Sequence, residues 1–284
     1  MTRRYDYVTV GHVTCDVIED RLGGAVSQPG GGAFYSALQA SRLGMRTLIV
    51  TQGVPFEIEA LLEPYREELD VHVIPAEHTT TLSTRGAGAA RVQRVLTWAG
   101  PILAPINVDT SILHLAPVAM ETPASPPARA GFLGITPQGL IRRWDENGEI
   151  SHVPLGPGLL PARFDAAVIG DAERRHCAPL FAQARDREAV VAVTAGSRPT
   201  VVHLPDGTRV EVTPPSVGRP REDLGAGDVF AGAFFIALRE GHAPQDAAAF
   251  GNAAAAVRVG GVGPSAIGRR SEIEAVPRTS ARSG

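Results

Sequence analysis

Seven short runs rich in Val, Ile and Leu recur along the chain, each closing near a Gly, Pro, Thr or Asp. They are "YDYVTVG" (5–11), "RTLIVTQ" (46–52), "LDVHVIP" (69–75), "SILHLAP" (111–117), "AGFLGIT" (130–136), "DAAVIG" (165–170) and "AVVAVTAG" (189–196). Runs of this kind are expected of strands buried on both faces of a sheet. Helical patterns lie between several of them, at 33–44, 56–69 and 172–188. Two more follow, "GDVFAGAFFIALREG" and "PQDAAAFGNAAAAVRVGG". Strand alternating with helix implies an α/β chain with a mainly parallel, doubly wound sheet. In such sheets ligands bind beyond the carboxyl ends of the strands.

Two segments break the rhythm. "CDVIEDRLGGAVSQPGGG" (15–32) and "TTTLSTRGAGAARVQRVLTWAGP" (79–101) alternate polar and apolar residues around Gly-rich turns. They are expected to form hairpin strands outside the main sheet, a small β lid spanning about 15–30 and 79–101. Stretches 121–130 and 154–163 read as Pro-rich loops. The 284 residues allow one large α/β domain or two small ones. One domain is expected at 1–276, with 277–284 as a disordered tail.

Composition excludes several roles. The formal charge of -3 provides no bulk field for nucleic acid or an anionic membrane. No apolar stretch is long enough to span a bilayer, and the amino terminus reads as a first strand rather than a signal peptide. Cys15 and Cys177 form no CxxC and no bridge framework, which suggests a reduced, cytoplasmic protein. All 27 basic residues other than His are Arg. Without lysine there is no Walker A lysine, no protein-kinase strand lysine and no Schiff base.

The stretch "REDLGAGDVFAGAFFIALREG" (221–241) holds the clearest chemistry. Gly225, Ala226 and Gly227 leave their backbone amides uncovered. A helix starting at Gly227 or Asp228 would aim its unpaired N–H groups the same way and make an anion site. Asp228 then falls in the first turn. It either complements the helix dipole, worth ~0.3–1 kcal/mol, or serves as a general base beside an anion hole. The run is no P-loop, and no clean strand leads into it as a dinucleotide fingerprint would require.

"DLGAGDVFAGAF" resembles the carboxyl-terminal signature, D-T-x-G-A-G-D, of the ribokinase-like (PfkB) family of small-molecule kinases. Other family features follow in the same order. "GHVTCD" is similar to the first strand with its substrate-binding Asp, and "PGGGAFYSALQASRLG" to the paired-Gly helix start. "VTAGSRPTVVHLPDG" resembles the V-T-x-G strand pair near the nucleotide, and "NAAAAVRVGGVGP" the late helix and loop beside the adenine. The resemblance implies a three-layer fold with a β lid, and ATP-dependent phosphorylation of a hydroxyl on a small polyhydroxy acceptor. It implies Asp228 as base, with the amides of Gly225, Ala226 and Gly227 as anion hole. Asp16, Gly30 and Gly31 would bind the acceptor, and Gly196 and Asn252 the nucleotide. Glu173 would organise Mg²⁺ as the acid of the family's N-x-x-E motif.

The chain also departs from the family pattern. Tyr35 replaces an Asn at the paired-Gly helix, and Gly170 replaces the Asn of N-x-x-E, with Asp171 beside it. Pro199 stands where a second Gly is usual. Glu222, Asp223 and Leu224 replace D-T-x, which leaves open the K⁺ requirement of many members. "GITPQGLIRRWD" (134–145) is most similar to the inositol kinase branch and would turn Gln138 and Arg142 toward the site. Arg142 either approaches the transferred phosphate or belongs to a solvated strand end.

Inositol-like polyols and sugars come first as acceptors, and a nucleoside stacked on Tyr35 second. A nucleotide-binding regulator with a decayed site is the rival outside catalysis. The expected partners are a small acceptor and ATP, with neither nucleic acid nor membrane. The chain is expected to be a monomer, or a homodimer formed through the lid edge. His12, His72, His114 and His203 lack metal-ligand spacing and read as structural. Trp98 either stacks on a ligand or covers the lid, Cys15 reads as a small buried residue, and Gly232 reads as a packing residue.

Overall fold

The computed structural model describes residues 5–19, 24–86, 88–104, 107–125, 129–277 and 282–283. Its main sheet is built on parallel strands β1 (Tyr5–Val10), β4 (Thr47–Gly53), β5 (Asp70–Pro75), β8 (Asp109–Leu115), β10 (Leu133–Ile135), β13 (Ala166–Gly170) and β14 (Val190–Ala195). A two-residue strand, β9 (Arg129–Ala130), pairs with β8. Strands β15 (Arg198–His203), β16 (Arg209–Val212) and β17 (Arg282–Ser283) extend one edge antiparallel to one another. All seven runs expected as strands are in this sheet. β17 lies in the expected tail, most of which is outside the described residues.

Alternation along each strand fills two cores. Tyr7, Ile49, Ile112, Val168 and Ala192 point to one face. Val8, Val50, Leu113, Ile169 and Val193 point to the other. The first face is covered by α1 (Gly32–Arg42), α2 (Pro55–Leu62), α4 (Ala226–Arg239), α5 (Pro244–Val259) and α6 (Arg270–Glu274). The second is covered by α3 (Ala178–Asp186) and by loop residues such as Ile102 and Phe164. Residues Val229 to Ala237 of α4 are all buried, which is why its sequence is apolar on every side. Truncating Phe234 or Phe235, both fully buried, would cost about 3–5 kcal/mol. Gly232 lets α1 and α4 touch, since a Cβ there would lie 3.0 Å from the Ser36 carbonyl oxygen.

Two expected helices are shorter than their patterns, and proline is the reason. α2 stops at Leu62 before Pro64 and gives way to a 3-10 turn. The 172–188 pattern divides into a 3-10 turn at Arg174–His176 and α3, which has Pro179 in its first turn. The lid is a four-stranded sheet in the order β3-β2-β6-β7, comprising β2 (Thr14–Glu19), β3 (Ala25–Gly30), β6 (Thr81–Arg85) and β7 (Val92–Thr97). The sequence pattern missed a hairpin of β11 (Arg142–Trp144) and β12 (Ile150–His152). It meets the lid through the Val95 amide and the Gly148 carbonyl, 2.8 Å apart. Trp98 covers the lid's apolar side, edge-on to Trp144, and donates from Nε1 to the Ala119 carbonyl at 2.8 Å. Among the described residues no helix is long and apolar enough to cross a membrane.

Candidate active site

A cleft of about 590 Å³ opens beyond the carboxyl ends of β13 and β14, where a doubly wound sheet places its ligands. Its walls come from separate parts of the chain. β2 supplies Asp16, the start of α1 supplies Gly31, Gly32 and Tyr35, and the lid supplies Arg91 and Gln93. Gln138 and Arg142 flank the other side, Gly170 to Glu173 follow β13, and Thr194 to Gly196 with Arg198 follow β14. Gly225, Gly227 and Asp228 close the floor at the start of α4.

Gly225 caps α4 in the left-handed region at φ 76, a conformation glycine adopts without strain. Its missing side chain also matters, because a Cβ there would overlap the Tyr35 ring. α4 begins at Ala226, one residue ahead of the expected start. The Ala226 N–H is committed to the Asp223 carbonyl at 3.2 Å. The amides of Gly225 and Gly227 are thus the ones left without an acceptor among the described residues. Of the three amides expected to form an anion hole, the Ala226 amide is taken and those of Gly225 and Gly227 are open.

Asp228 lies in the first turn and is partly open to the cleft. The start of α1 faces it, since a Cβ on Gly32 would come within 2.8 Å of its Oδ1. Two helix amino termini therefore converge on one carboxyl group. Asp16 is buried and accepts from the Thr14 hydroxyl at 2.7 Å. Gly30 makes room for that carboxylate rather than lining the cleft, because any Cβ there would overlap it.

Arg142 is buried, which removes the solvated-strand-end reading. Its guanidinium donates to the Val118 carbonyl and to Gln93 Oε1, both at 3.1 Å, while Nε has no partner among the described residues. It makes no direct ion pair among the described residues, yet its charge is felt by Asp16 and Asp228, and those of Glu173, Asp228 and Asp16 act on it. Burial pushes the Asp228 carboxyl up to about 7. Arg142 opposes that rise, and the charges of Glu173 and Asp16 add to it. Burial likewise lifts Asp16 to about 6 against its Thr14 hydrogen bond and the pull of Arg142 and Arg91. Arg142 itself is lowered by burial, with the three carboxylates and Glu121 working the other way. Two carboxyls with raised pKa values share this concave site with a buried guanidinium, which makes the cleft the candidate functional site.

Glu173 accepts the Gly170 N–H at 2.9 Å and a short hydrogen bond from Gln138 Nε2. Asp171 pairs with Arg198 at 2.7 Å near the open end. Asn252 lies outside the cleft, where its side chain bonds the Thr200 hydroxyl at 2.8 Å and the Val212 carbonyl at 3.2 Å. His114 hydrogen-bonds Tyr7 and Thr136 through both ring nitrogens, and burial pushes it down to about 3, as suits a structural histidine.

Sequence reasoning missed Arg91, Gln93 and Asp223. Arg91 forms a short ion pair with Asp223, which also accepts the Gly88 N–H at 3.1 Å. This latch joins the lid to the turn ahead of α4. The alternation at 91–97 showed that a lid strand exists, but not which of its faces would meet the cleft.

Residues 166–268 match the model of the pfkB family carbohydrate kinases, a span that holds the "VTAG", "GAGD" and "NAAAAVRVGG" motifs. The fold is similar to that of a pyrophosphate-dependent kinase in the ribokinase family complexed with a pyrophosphate analog and myo-inositol. The TM-score is 0.75 at 20% identity, over 95% of this chain and 100% of that one. It is also similar to ribokinase from Arabidopsis thaliana complexed with ribose and ATP (TM-score 0.69, 15% identity, 96% and 98% of the two chains). A nucleoside kinase from Methanocaldococcus jannaschii is similar as well (TM-score 0.71, 18% identity, 95% and 97%). No curated protein matches the sequence.

Proposed function

We propose that this chain is a small-molecule kinase that transfers a phosphoryl group to a hydroxyl of a small polyhydroxy acceptor, an inositol-like polyol or a sugar. One observation carries the reading. Asp228 sits at the floor of the cleft, beside the amides of Gly225 and Gly227 and across from Asp16 and Arg142.

In this reading the acceptor lies under the lid. Asp16 accepts from its hydroxyl groups, and Gln138, Gln93 and Arg142 offer donors. The reacting hydroxyl gives its proton to an Asp228 oxygen as its own oxygen bonds phosphorus. The bond from phosphorus to the leaving phosphate oxygen breaks, and charge gathering on the phosphoryl oxygens meets the Gly225 and Gly227 N–H groups. A base near neutrality is well matched to proton transfer at ordinary pH.

The donor set suits Mg²⁺. That ion keeps several waters and takes one or two carboxylates plus phosphate oxygens. Glu173, with Asp171 beside it, lines the cleft; among the described residues no group of three or more His, Cys, Asp or Glu is arranged to hold a metal alone, so donor phosphate oxygens and water would complete the shell. When bound, Mg²⁺ would neutralise donor phosphate charge.

The polar lining favours a polyol over a nucleoside. Tyr35 has no free face for a base, because Gly225 lies on its ring, Phe34 packs edge-on and the Arg258 guanidinium stands 5.7 Å from its centroid. ATP is the first donor to test. Pyrophosphate is the second, because the cleft ends at Gly196 and Arg198 and takes no residue from α5. With Asn252 turned inward, nothing in that lining marks a base pocket. The similar structure bound to a pyrophosphate analog supports testing it.

The experiment is an acceptor panel of inositols, sugars and nucleosides with each magnesium donor, read by phosphorus NMR of the product. A polyol phosphate formed only with acceptor present is expected. No phosphorylated product with either donor would remove the kinase reading.

A further inference from the structure

Arg258, on the last turn of α5, is fully buried, and its guanidinium stands 5.7 Å from the centroid of the Tyr35 ring at the edge of the cleft. Its Nη2 donates to Glu222 Oε1 at 2.7 Å and to the Leu224 carbonyl at 2.8 Å. The second Glu222 oxygen accepts the Gly263 N–H at 2.9 Å. The Arg221 N–H bonds the Val259 carbonyl at 2.8 Å, so the whole approach to the α4 turn is tied to the end of α5. Arg258 Nε and Nη1 have no partner among the described residues. A buried charge held by one carboxylate, one carbonyl and the neighbouring Tyr35 ring, with two nitrogens unpartnered, is costly to keep.

The position of the contact is informative. The Leu224 carbonyl and the Gly225 N–H belong to one peptide group. A charged donor on that carbonyl polarises the peptide and strengthens the N–H on its other side as a donor. That N–H is one of the two open amides on the cleft floor. A carboxylate and a carbonyl oxygen facing one point is also the oxygen chemistry that hard metal cations take, and here a guanidinium fills it.

We propose that Arg258 is a positioning residue that acts as a built-in cation. It holds the 222–225 turn, sharpens the Gly225 amide toward the donor phosphate, and makes transfer independent of dissolved monovalent cations. The proposal rests on the kinase reading for its turnover readout and on anion binding for a separate one.

The test compares the native chain, Arg258→Lys and Arg258→Ala in potassium, sodium and choline chloride at equal ionic strength. Turnover and the affinity for magnesium pyrophosphate by calorimetry are both measured. The native chain should change by no more than about twofold among the three salts. A hydrogen bond to a charged group is worth enough that Arg258→Ala should lose about tenfold to a hundredfold in kcat. Its acceptor KM should hold, and potassium or added guanidinium, but not choline, should restore part of the loss. Arg258→Lys should fall between the two.

Several-fold activation of the native chain by potassium overturns the proposal, whether or not the variants fold. So does a folded Arg258→Ala with native turnover and native pyrophosphate affinity. If no acceptor is phosphorylated, the kinase reading falls. Salt-independent pyrophosphate binding that weakens in Arg258→Ala would still uphold the built-in cation, and salt-dependent binding would remove it.

Discussion

Replacing Asp228 with Asn removes the proposed base and a burial penalty at once, and the two effects can be read separately. A positioned general base contributes about 10²–10⁴-fold in rate, so kcat should fall by at least that range while donor affinity holds. The second effect concerns stability. The Asp228 carboxyl rises from 3.8 to about 7 in the fold, chiefly through burial. A raised folded pKa means that the native state resists ionisation. The resulting penalty is absent below about pH 4, grows as pH rises toward 7, and is complete above it. About three pKa units correspond to about 4 kcal/mol as a ceiling. The side chain keeps a face open to water, so we discount this to about 1–3 kcal/mol.

Asn carries no charge at any pH and escapes the penalty. Asp228→Asn should therefore melt above the native chain at pH 8, by about 2–4 °C per kcal/mol. The gap should narrow steadily toward pH 4. Circular dichroism melts across that range, paired with turnover at each pH, provide both readouts. Near-native turnover would refute the base. A melting gap that is the same at pH 4 and pH 8 would refute the account of a carboxyl held back from ionising.

The native pH profile should match, with kcat/KM of the free enzyme rising through about pH 7 as Asp228 loses its proton; a rate flat from pH 5 to 8 would contradict it. Arg142 holds the Asp228 pKa down, so Arg142→Gln should move that limb to higher pH as well as lower the rate, and an unmoved limb would show that the two groups are not coupled. Asp16→Asn should raise the acceptor KM, with kcat/KM down roughly tenfold to a hundredfold for one lost charged hydrogen bond, and leave pyrophosphate affinity unchanged by calorimetry. Gly225→Ala forces a side chain into the left-handed region at about 1–2 kcal/mol and into the Tyr35 ring; a folded variant with unimpaired donor affinity would show that the turn does not need its glycine.

Much of this architecture was already legible in local patterns. Runs dominated by Val, Ile and Leu are expected of strands buried on both faces, with helices above and below, and among the parallel strands of the seven runs only the edge strand β5 is half-exposed. The all-apolar α4 and the glycines ahead of it showed where a helix start is left uncovered, because that is a property of a few adjacent residues. Asp228 could be singled out for the same reason.

What the sequence left open was set by distance in space. Nothing local distinguishes Arg142 as a buried cation from Arg142 as a surface arginine. Three carboxylates from β2, the turn after β13 and α4 had to meet around it before burial could lift Asp16 and Asp228. Asn252 turned inward because Thr200 and Val212 reached it first. Arg258 and Glu222 stand 36 residues apart and form their ion pair only when α5 ends against the α4 turn. Backbone patterning is short-range and is written into the chain. Charge burial depends on every element that packs around a group, so only the assembled fold could decide it.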